Sequence, residues 1–217
     1  LKKQVEFLER NSSYSVVAGG YATFNQVTGV TKREILSSVV PQDQEDEKGF
    51  SFTLLDSSKS WMTKTLTCLF KNVPEILLAS ADKYRYVRDV HLFYELLKYG
   101  DGYYFKEVLG VYNIHDGGIF SLKSKAEKYI LAYKLFKELY EKSPDEFARV
   151  SYHKSILKLL EGKMYSAIKY NEVASFELVR TAIKLANKPS ERIAVLLCIV
   201  PLQIRQGIRQ LKRKFGN

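Results

Sequence analysis

Hydrophobic and polar residues in the first half of the chain alternate in short runs that are typical of β-strands. Residues 14–24 (YSVVAGGYATF) and 64–70 (KTLTCLF) are rich in β-branched and aromatic residues and are bounded by Asn, Gly and Ser. Both segments are therefore predicted to be strands. Residues 1–11 (LKKQVEFLERN) show a helical pattern instead. Residues 41–48 (PQDQEDEK) are polar, acidic and aperiodic, and they are predicted to form a loop.

An amphipathic helix is predicted over residues 87–99. Val90 and three apolar residues after it recur at the spacing i, i+3, i+4 and i+7, and Gly100 stands where a helix commonly ends. Three short elements should follow: a strand over roughly residues 102–105, a strand over 107–114 and a turn at Asp116-Gly117-Gly118.

After Ser121 the hydrophobic pattern changes to long helical periods. Ser143 is placed to cap a helix, Pro144 suits the first helical position and Glu146 completes a capping box, so a helix should begin here. Pro189 and Pro201 should break or kink the later pattern. About four helices are predicted over residues 122–217.

The C-terminal segment combines an apolar run with a basic amphipathic pattern. Residues 193–200 (IAVLLCIV) fall well short of the roughly 20 residues that span a bilayer. Beyond Pro201, one helical face carries Ile204, Ile208, Leu211 and Phe215, and the other carries Arg205, Arg209, Lys212, Arg213 and Lys214. Residues 190–217 therefore fit an anionic membrane surface. They fit equally a C-terminal helix that packs on its own domain and leaves its charges in water.

Composition and charge limit the classes of protein to which the chain can belong. Of its 217 residues, 46% are hydrophobic and 13% aromatic, which excludes disorder of the whole chain. The net charge of +10 is uneven: residues 1–121 hold 14 Lys/Arg against 15 Asp/Glu, and residues 122–217 hold 20 against 9. A basic half is compatible with nucleic acid, acidic lipid or neither. We find no nucleic-acid motif and expect no nucleic-acid partner.

The two cysteines do not indicate a metal site. Cys68 and Cys198 lie far apart in apolar surroundings and lack the CxxC or Cys/His spacing of zinc proteins. We expect them to be reduced core residues of a cytoplasmic protein, peripheral to the inner face of the membrane if the basic tail binds there.

The segment Tyr86–Ser121 (YVRDVHLFYELLKYGDGYYFKEVLGVYNIHDGGIFS) resembles the second half of the catalytic domain of family 2 glycosyltransferases, which have the GT-A fold. In that family an acidic residue opens a helix, a glycine closes it, two strands follow and a Tyr-x-x-His-x-Gly-Gly segment ends the unit. Residues 1–17 resemble the helix after the family's Asp-x-Asp strand, and residues 61–72 resemble the strand that lines its acceptor cleft. The resemblance covers most of residues 1–121.

This resemblance implies an α/β protein: the C-terminal, acceptor-side half of a GT-A domain over residues 1–121, followed by a basic α-helical extension over residues 122–217. It implies transfer of a sugar from a nucleotide-diphosphate donor to a glycan or lipid-linked acceptor, with inversion as the family expectation. The nucleotide-binding half, with its Asp-x-Asp metal ligands, would precede Leu1. A divalent cation, Mg²⁺ or Mn²⁺, is therefore expected to take its main ligands outside these residues.

Glycosyl transfer needs a base for the acceptor hydroxyl and positive charge for the departing diphosphate. The resemblance assigns the first role to Asp89, in the first turn of the predicted helix. The alternative is that Asp89 only stabilises the helix end through its interaction with the amide dipoles. His115 is assigned to the donor diphosphate or the metal, and the alternative for it is an ordinary surface histidine in a turn.

The resemblance also implies a set of residues that line the acceptor cleft: Trp61, Lys64, Thr65, Thr67, Arg88, Gly117 and Gly118. Aromatic faces and hydroxyls suit sugar rings, although strand packing would account for the same residue types. The acidic run Asp43, Glu45, Asp46 and Glu47 lacks a preceding apolar strand, so we interpret it as a solvated loop.

Two other functions are compatible with the sequence. The basic helices could form a non-catalytic module that binds nucleic acid, whose affinity would fall steeply with salt. Alternatively, the chain could be a membrane-associated scaffold whose active site has decayed.

Overall fold

A mixed five-stranded sheet forms the centre of the first half of the chain in the computed structural model, which describes residues 1–36, 46–85, 88–115, 123–165 and 175–199. The chain divides into two units, Leu1–Lys123 and Ser124–Asn217. The first unit contains both helices and strands, and the described part of the second is helical. The α/β class predicted from the sequence is therefore confirmed.

The first unit begins with a helix and ends with a long strand. Its elements are α1 (Lys2–Arg10), β1 (Tyr14–Asn25), β2 (Thr31–Glu34), β3 (Gly49–Phe52), α2 (Leu54–Lys59), a 3-10 turn (Thr65–Thr67), β4 (Leu69–Phe70), α3 (Pro74–Lys83), α4 (Asp89–Tyr99) and β5 (Asp101–Ile114).

The sheet has the strand order β2-β1-β5-β3, and β4 pairs separately with β1. β1 and β5 run parallel and are paired from Tyr14 and Asp101 to Asn25 and Ile114. The other pairs are antiparallel. A parallel pair needs a crossover connection, and here α4 provides its last element because it leads directly into β5.

Side chains of β1 alternate between two hydrophobic clusters. Val16 and Ala18 belong to a cluster that contains Phe93 of α4, while Val17 belongs to another that contains Leu8 of α1. All five side chains are buried. Because side chains alternate between the two faces of a strand, α4 and α1 cover opposite faces of the sheet.

The strand pattern predicted over residues 102–105 and 107–114 is one strand with an irregularity between its halves. Gly19 of β1 pairs with Phe105 of β5, but the next residue, Gly20, pairs with Val108. Lys106 and Glu107 therefore form a bulge, which is where the sequence predicted a break. Residues after the bulge are exposed or half-buried, in contrast to the buried residues before it.

The strand predicted over residues 64–70 is wrong for most of its length. Thr65–Thr67 form the 3-10 turn, and only Leu69–Phe70 pair as a strand. The Thr67 amide donates to the Lys64 carbonyl at 2.8 Å, which closes the turn. β-Branched residues favour a strand locally, but tertiary contacts override that preference.

The other predictions for this unit differ in outcome. The predicted helices at residues 1–11 and 87–99 are confirmed as α1 and α4, and Gly100 caps α4. Asp46–Lys48 lie in neither helix nor strand, as predicted for the loop at residues 41–48, whose earlier residues lie outside the described part. The turn predicted at Asp116-Gly117-Gly118 also lies outside the described residues.

The described part of the second unit contains the four predicted helices. They are α5 (Lys125–Lys142), α6 (Glu146–Tyr165), α7 (Ser175–Leu185) and α8 (Pro189–Ile199). A single cluster packs α5 to α8 together and includes Tyr133, Ile156, Leu178 and Val195.

The predicted starts of α6 and α8 differ in how well they agree with the structure. The capping box predicted at Ser143 is wrong: α6 begins at Glu146, and the Asp145 carboxylate accepts a hydrogen bond from the Ala148 amide at 2.8 Å. Asp145 immediately precedes the helix, and from this position a side-chain oxygen can accept a hydrogen bond from an amide of the first turn. Pro189 does break the pattern and is the first residue of α8. Pro201 lies outside the described residues.

Arg149 is buried and joins α6 to the start of α8 through a charge network with exposed Glu146 and half-buried Glu191. Its guanidinium donates to both Glu146 oxygens at 2.8 Å, to both Glu191 oxygens at 3.2 and 3.3 Å, and to the Leu185 carbonyl. Burial opposes ionisation of Glu191, but hydrogen bonds from Arg149 and from the amides of Asn187 and Lys188 lower its pKa to about 2. The network therefore ties the α7–α8 connection to α6.

We expect Gly49→Ala to lower the free energy of unfolding by about 1–3 kcal/mol. A methyl group at Gly49 would overlap the backbone oxygen of Tyr104 on the neighbouring strand, which cannot move without breaking the β3–β5 pairing. Gly110→Ala is the matched control, because its methyl group meets only side-chain atoms of Leu66 and Thr67, the nearest at 3.1 Å. Urea denaturation measures both; an equal loss in the two variants would contradict the described strand pairing.

We expect Arg149→Met to lower the free energy of unfolding by about 1–2 kcal/mol at neutral pH, because Arg149 is buried but solvent screens its pair with exposed Glu146. The pKa values of Glu146 and Glu191 are both lower in the folded state than the ordinary value of 4.5, and that of Glu191 is about 2. The ionised carboxylates therefore contribute fully to folding stability above pH 4.5. This contribution is lost as the pH falls from 4.5 toward about 2. Wild-type stability should therefore decline over this range more steeply than that of Arg149→Met. Denaturation followed by circular dichroism checks this, with exposed Lys158→Met as control. Parallel pH profiles would contradict it.

Candidate functional site

Asp89 presents an exposed carboxylate at the first position of α4, and both of its oxygens are held. Oδ1 accepts a hydrogen bond from the Val90 amide at 2.9 Å, and Oδ2 accepts one from the Thr65 hydroxyl at 3.2 Å. One oxygen is thus bound to the helix and the other to the 3-10 turn. An exposed carboxylate held in this way still has lone pairs that can accept a proton from a bound hydroxyl.

The 3-10 turn that carries Thr65 is fixed to the sheet and to α1. The Thr67 hydroxyl donates to the Gly19 carbonyl of β1 at 2.9 Å, and the Gln4 side-chain amide donates to the Thr67 carbonyl, also at 2.9 Å. Thr67 and Gln4 are only 4% and 7% exposed. The hydrogen bond to Asp89 therefore comes from a turn whose position is set by buried contacts.

The path of the chain places Asp89 near the middle of the parallel strand pair. α4 is 11 residues long, which corresponds to about 16 Å, and only Gly100 separates it from the start of β5. The C-terminal end of α4 lies at the start of the β1–β5 pair, where the Ser15 hydroxyl donates to the Gly100 carbonyl at 2.7 Å. Its N-terminal end lies farther along both strands, near Gly19.

The other residues of the predicted acceptor cleft have different environments. Trp61 is half-buried and packs edge-on against Phe93, with ring centroids 6.3 Å apart. Lys64 is exposed, and its ammonium lies 5.9 Å from the centroid of the Tyr21 ring. Arg88 is half-buried next to Asp89, and its backbone amide donates to Nδ1 of His91 at 3.3 Å. Among the described residues of this set, Lys64 and Thr65 are the exposed ones.

Thr67 occupies an interior position, contrary to its predicted place on the cleft surface. Its hydroxyl is bonded to Gly19, and almost none of its surface is accessible. It supports the turn that presents Lys64 and Thr65. Gly117 and Gly118 lie outside the described residues.

Cys68 and Tyr21 are two neighbours of this region that the sequence did not place beside Asp89 or Lys64. Burial and the nearby charge of Asp89 raise the pKa of the Cys68 thiol well above its ordinary value, so the thiol stays protonated and is a poor nucleophile. Tyr21 lies on β1 beneath Lys64. No local signal could have identified either residue, since both belong to apolar strand patterns.

His115 is exposed immediately after β5. The 3-10 turn lies against Gly110, where an added methyl group would meet Leu66 at 3.1 Å. His115 follows five residues later, which is about 16 Å of extended chain. Neither hydrogen bonds nor ion pairs connect the side chains of His115 and Asp89, which both lie in the described part of the chain.

The acidic run has a structural role where it is described. Burial raises the pKa of Asp46, but hydrogen bonds from the Gly49 and Lys48 amides and from the Tyr103 hydroxyl outweigh this effect. The pKa of Asp46 is therefore lowered overall. Glu47 is exposed, and Asp43 and Glu45 lie outside the described residues. Across the described part of the chain, no group of three His, Cys, Asp or Glu residues is arranged to hold a metal ion.

Comparisons with known proteins do not assign the chain to a family. No protein-family model matches it, and no curated protein matches it. Within the described ranges, no helix is both long enough and apolar enough to cross a membrane.

We expect Thr67→Val to lower the free energy of unfolding by about 1–2 kcal/mol, because the buried Gly19 carbonyl would lose its hydrogen bond from the Thr67 hydroxyl. Thr23→Val is the matched control, since the Thr23 hydroxyl donates at 3.3 Å to Lys32 at an exposed position. Thermal and urea denaturation measure both variants. Thr67→Val with wild-type stability would show that the turn is not anchored through this hydroxyl.

Proposed function

We propose that the chain is the acceptor-side part of a GT-A glycosyltransferase, in which Asp89 is the general base for the acceptor hydroxyl. The supporting observation is the exposed carboxylate of Asp89, fixed at the N-terminus of α4 by the Val90 amide and the Thr65 hydroxyl. This is the position that the family resemblance assigns to the base. The acceptor is a hydroxyl of a glycan or a lipid-linked sugar.

The contacts of Asp89 favour a positioned base over a residue that only stabilises a helix end. A helix-end role requires contact with the amides of α4, and one oxygen makes such a contact. The other oxygen is held by Thr65, which lies in a different segment and is itself exposed. This second contact restricts rotation of the carboxylate and directs it toward the surface formed by the 3-10 turn and α4.

In the proposed reaction the Asp89 carboxylate takes the proton of the acceptor hydroxyl as that oxygen attacks the anomeric carbon of the donor sugar. A new glycosidic C–O bond forms. The bond from the anomeric carbon to the diphosphate oxygen breaks, and the nucleoside diphosphate leaves with the electron pair. Lys64 and Trp61 flank this surface and supply a hydrogen-bond donor and an aromatic edge for sugar binding.

A divalent cation, Mg²⁺ or Mn²⁺, would stabilise the charge on the leaving diphosphate. The described residues do not form a complete site for it. His115, which is exposed just after β5, would supply one ligand or a contact to the diphosphate, the role that the family resemblance assigns to it. We assign no step of the reaction to a metal held by this chain alone.

We expect Asp89→Asn to lower turnover by about 10²–10⁴-fold, because the amide cannot accept the proton. The assay measures release of nucleoside diphosphate from a panel of nucleotide sugars and glycan acceptors. It uses the protein that joins this chain to the donor-binding half that the resemblance places before Leu1. Thr65→Val should lower turnover less, and Thr65→Ser should retain it, because serine keeps the hydroxyl that orients Asp89.

Glu75→Gln is the matched control for Asp89→Asn. Glu75 is also an exposed acid in the first turn of a helix, α3, so its loss changes the helix dipole interaction without touching the proposed site. Its turnover should equal that of the wild type. Wild-type turnover in Asp89→Asn would refute the proposed base, and a loss shared equally by both variants would point to a helix-end effect.

A further inference from the structure

Helix α8 exposes an apolar stripe on the side that faces away from its own unit. Ile193, Leu196 and Leu197 are 55%, 53% and 38% exposed. Their spacing of three and four residues places them on one face of the helix. The stripe also includes the exposed Pro189 at the start of the helix.

The opposite side of α8 is already used for packing. Val195 and Cys198 are buried in the cluster that joins the four described helices, and Glu191 is bound by Arg149 of α6. A helix that is apolar on both sides is normally covered on both sides. A single exposed leucine is common on protein surfaces, but a contiguous apolar stripe usually marks a surface that binds something other than water.

The sequence from Arg192 onward is basic and contains no acid. Glu191 is the last acidic residue, and residues 192–217 contain six Lys or Arg. The first of these, Arg192, lies on α8 itself and is exposed. Apolar side chains flanked by basic ones match the interface of an anionic membrane, where the apolar groups enter the acyl boundary and the cations meet lipid phosphates.

We propose that the outer face of α8 is a membrane-docking surface, with Ile193, Leu196 and Leu197 inserted among the headgroups of an anionic bilayer. This surface is independent of Asp89 and does not rest on the proposed glycosyl transfer. It locates membrane contact on a folded helix, in addition to the basic sequence that follows.

The same observations disfavour the other occupants of the stripe. Arg192 is exposed and precedes Leu196 by four residues, so docking of a second copy through this face would bring cations of the two copies near each other, and their charges would repel. Nucleic acid would bind the cations but would gain little from three aliphatic side chains, because phosphate contacts are electrostatic.

The test is sedimentation of the chain with phosphatidylcholine vesicles that contain about a third phosphatidylserine, compared with pure phosphatidylcholine vesicles. The wild type should bind the anionic vesicles, and the triple variant Ile193→Gln, Leu196→Gln, Leu197→Gln should bind about tenfold or more weakly. Glutamine keeps the helix propensity and the charge unchanged. Circular dichroism checks that each variant is folded.

Leu78→Gln is the matched control, since Leu78 is 70% exposed on α3 in the first unit. This variant should bind vesicles as the wild type does. Failure of the wild type to bind anionic vesicles, or equal binding by the triple variant, would overturn the proposal. So would a wild-type dimer that the triple variant abolishes, since the stripe would then be covered by a second copy.

Discussion

The parallel pairing of β1 with β5 is the constraint on which the first unit depends. Parallel strands cannot be joined by a tight turn, so the chain must cross over the sheet before β5 begins. α4 makes the last part of this crossover and leads into β5 through Gly100 alone. Once Gly100 is held by Ser15 at the start of β1, the direction of α4 is fixed. The N-terminus of α4 must then lie farther along the strands, where Asp89 meets the 3-10 turn.

In the proposed function, this arrangement uses core packing to position the general base. The buried side of the 3-10 turn is occupied by Thr67, which binds the sheet, and its exposed side presents Thr65 to Asp89. The carboxylate therefore contacts two segments whose positions the hydrophobic core sets. A positioned base costs no reorganisation when a substrate binds, and this is the main way in which a rigid scaffold contributes to general base catalysis.

The sequence predicted features that depend on local pattern and could not predict those that depend on distant partners. The periodicity of α4, its glycine cap and the interruption near Lys106 are local, and all three were predicted at their places. The turn at Thr65–Thr67 was predicted as a strand, because its geometry comes from hydrogen bonds to Gly19 and Gln4, which are distant in sequence. For the same reason the hydrogen bond between Thr65 and Asp89 could not be predicted, although both residues were already predicted to belong to the site. Asp145 caps α6 in place of Ser143 because the helix starts two residues later than predicted, a difference that the local pattern does not determine.

We propose that the Asp89 carboxylate takes a proton from the acceptor hydroxyl. Chemical rescue of a variant that lacks this carboxylate tests the proposal most directly. Asp89→Gly removes the carboxylate and leaves space for a small anion at the start of α4. If Asp89 is the base, added formate should restore turnover of this variant in a concentration-dependent manner, with no effect on the wild type. Turnover of Asp89→Gly that formate leaves unchanged, or that already equals the wild-type rate without formate, would contradict the account.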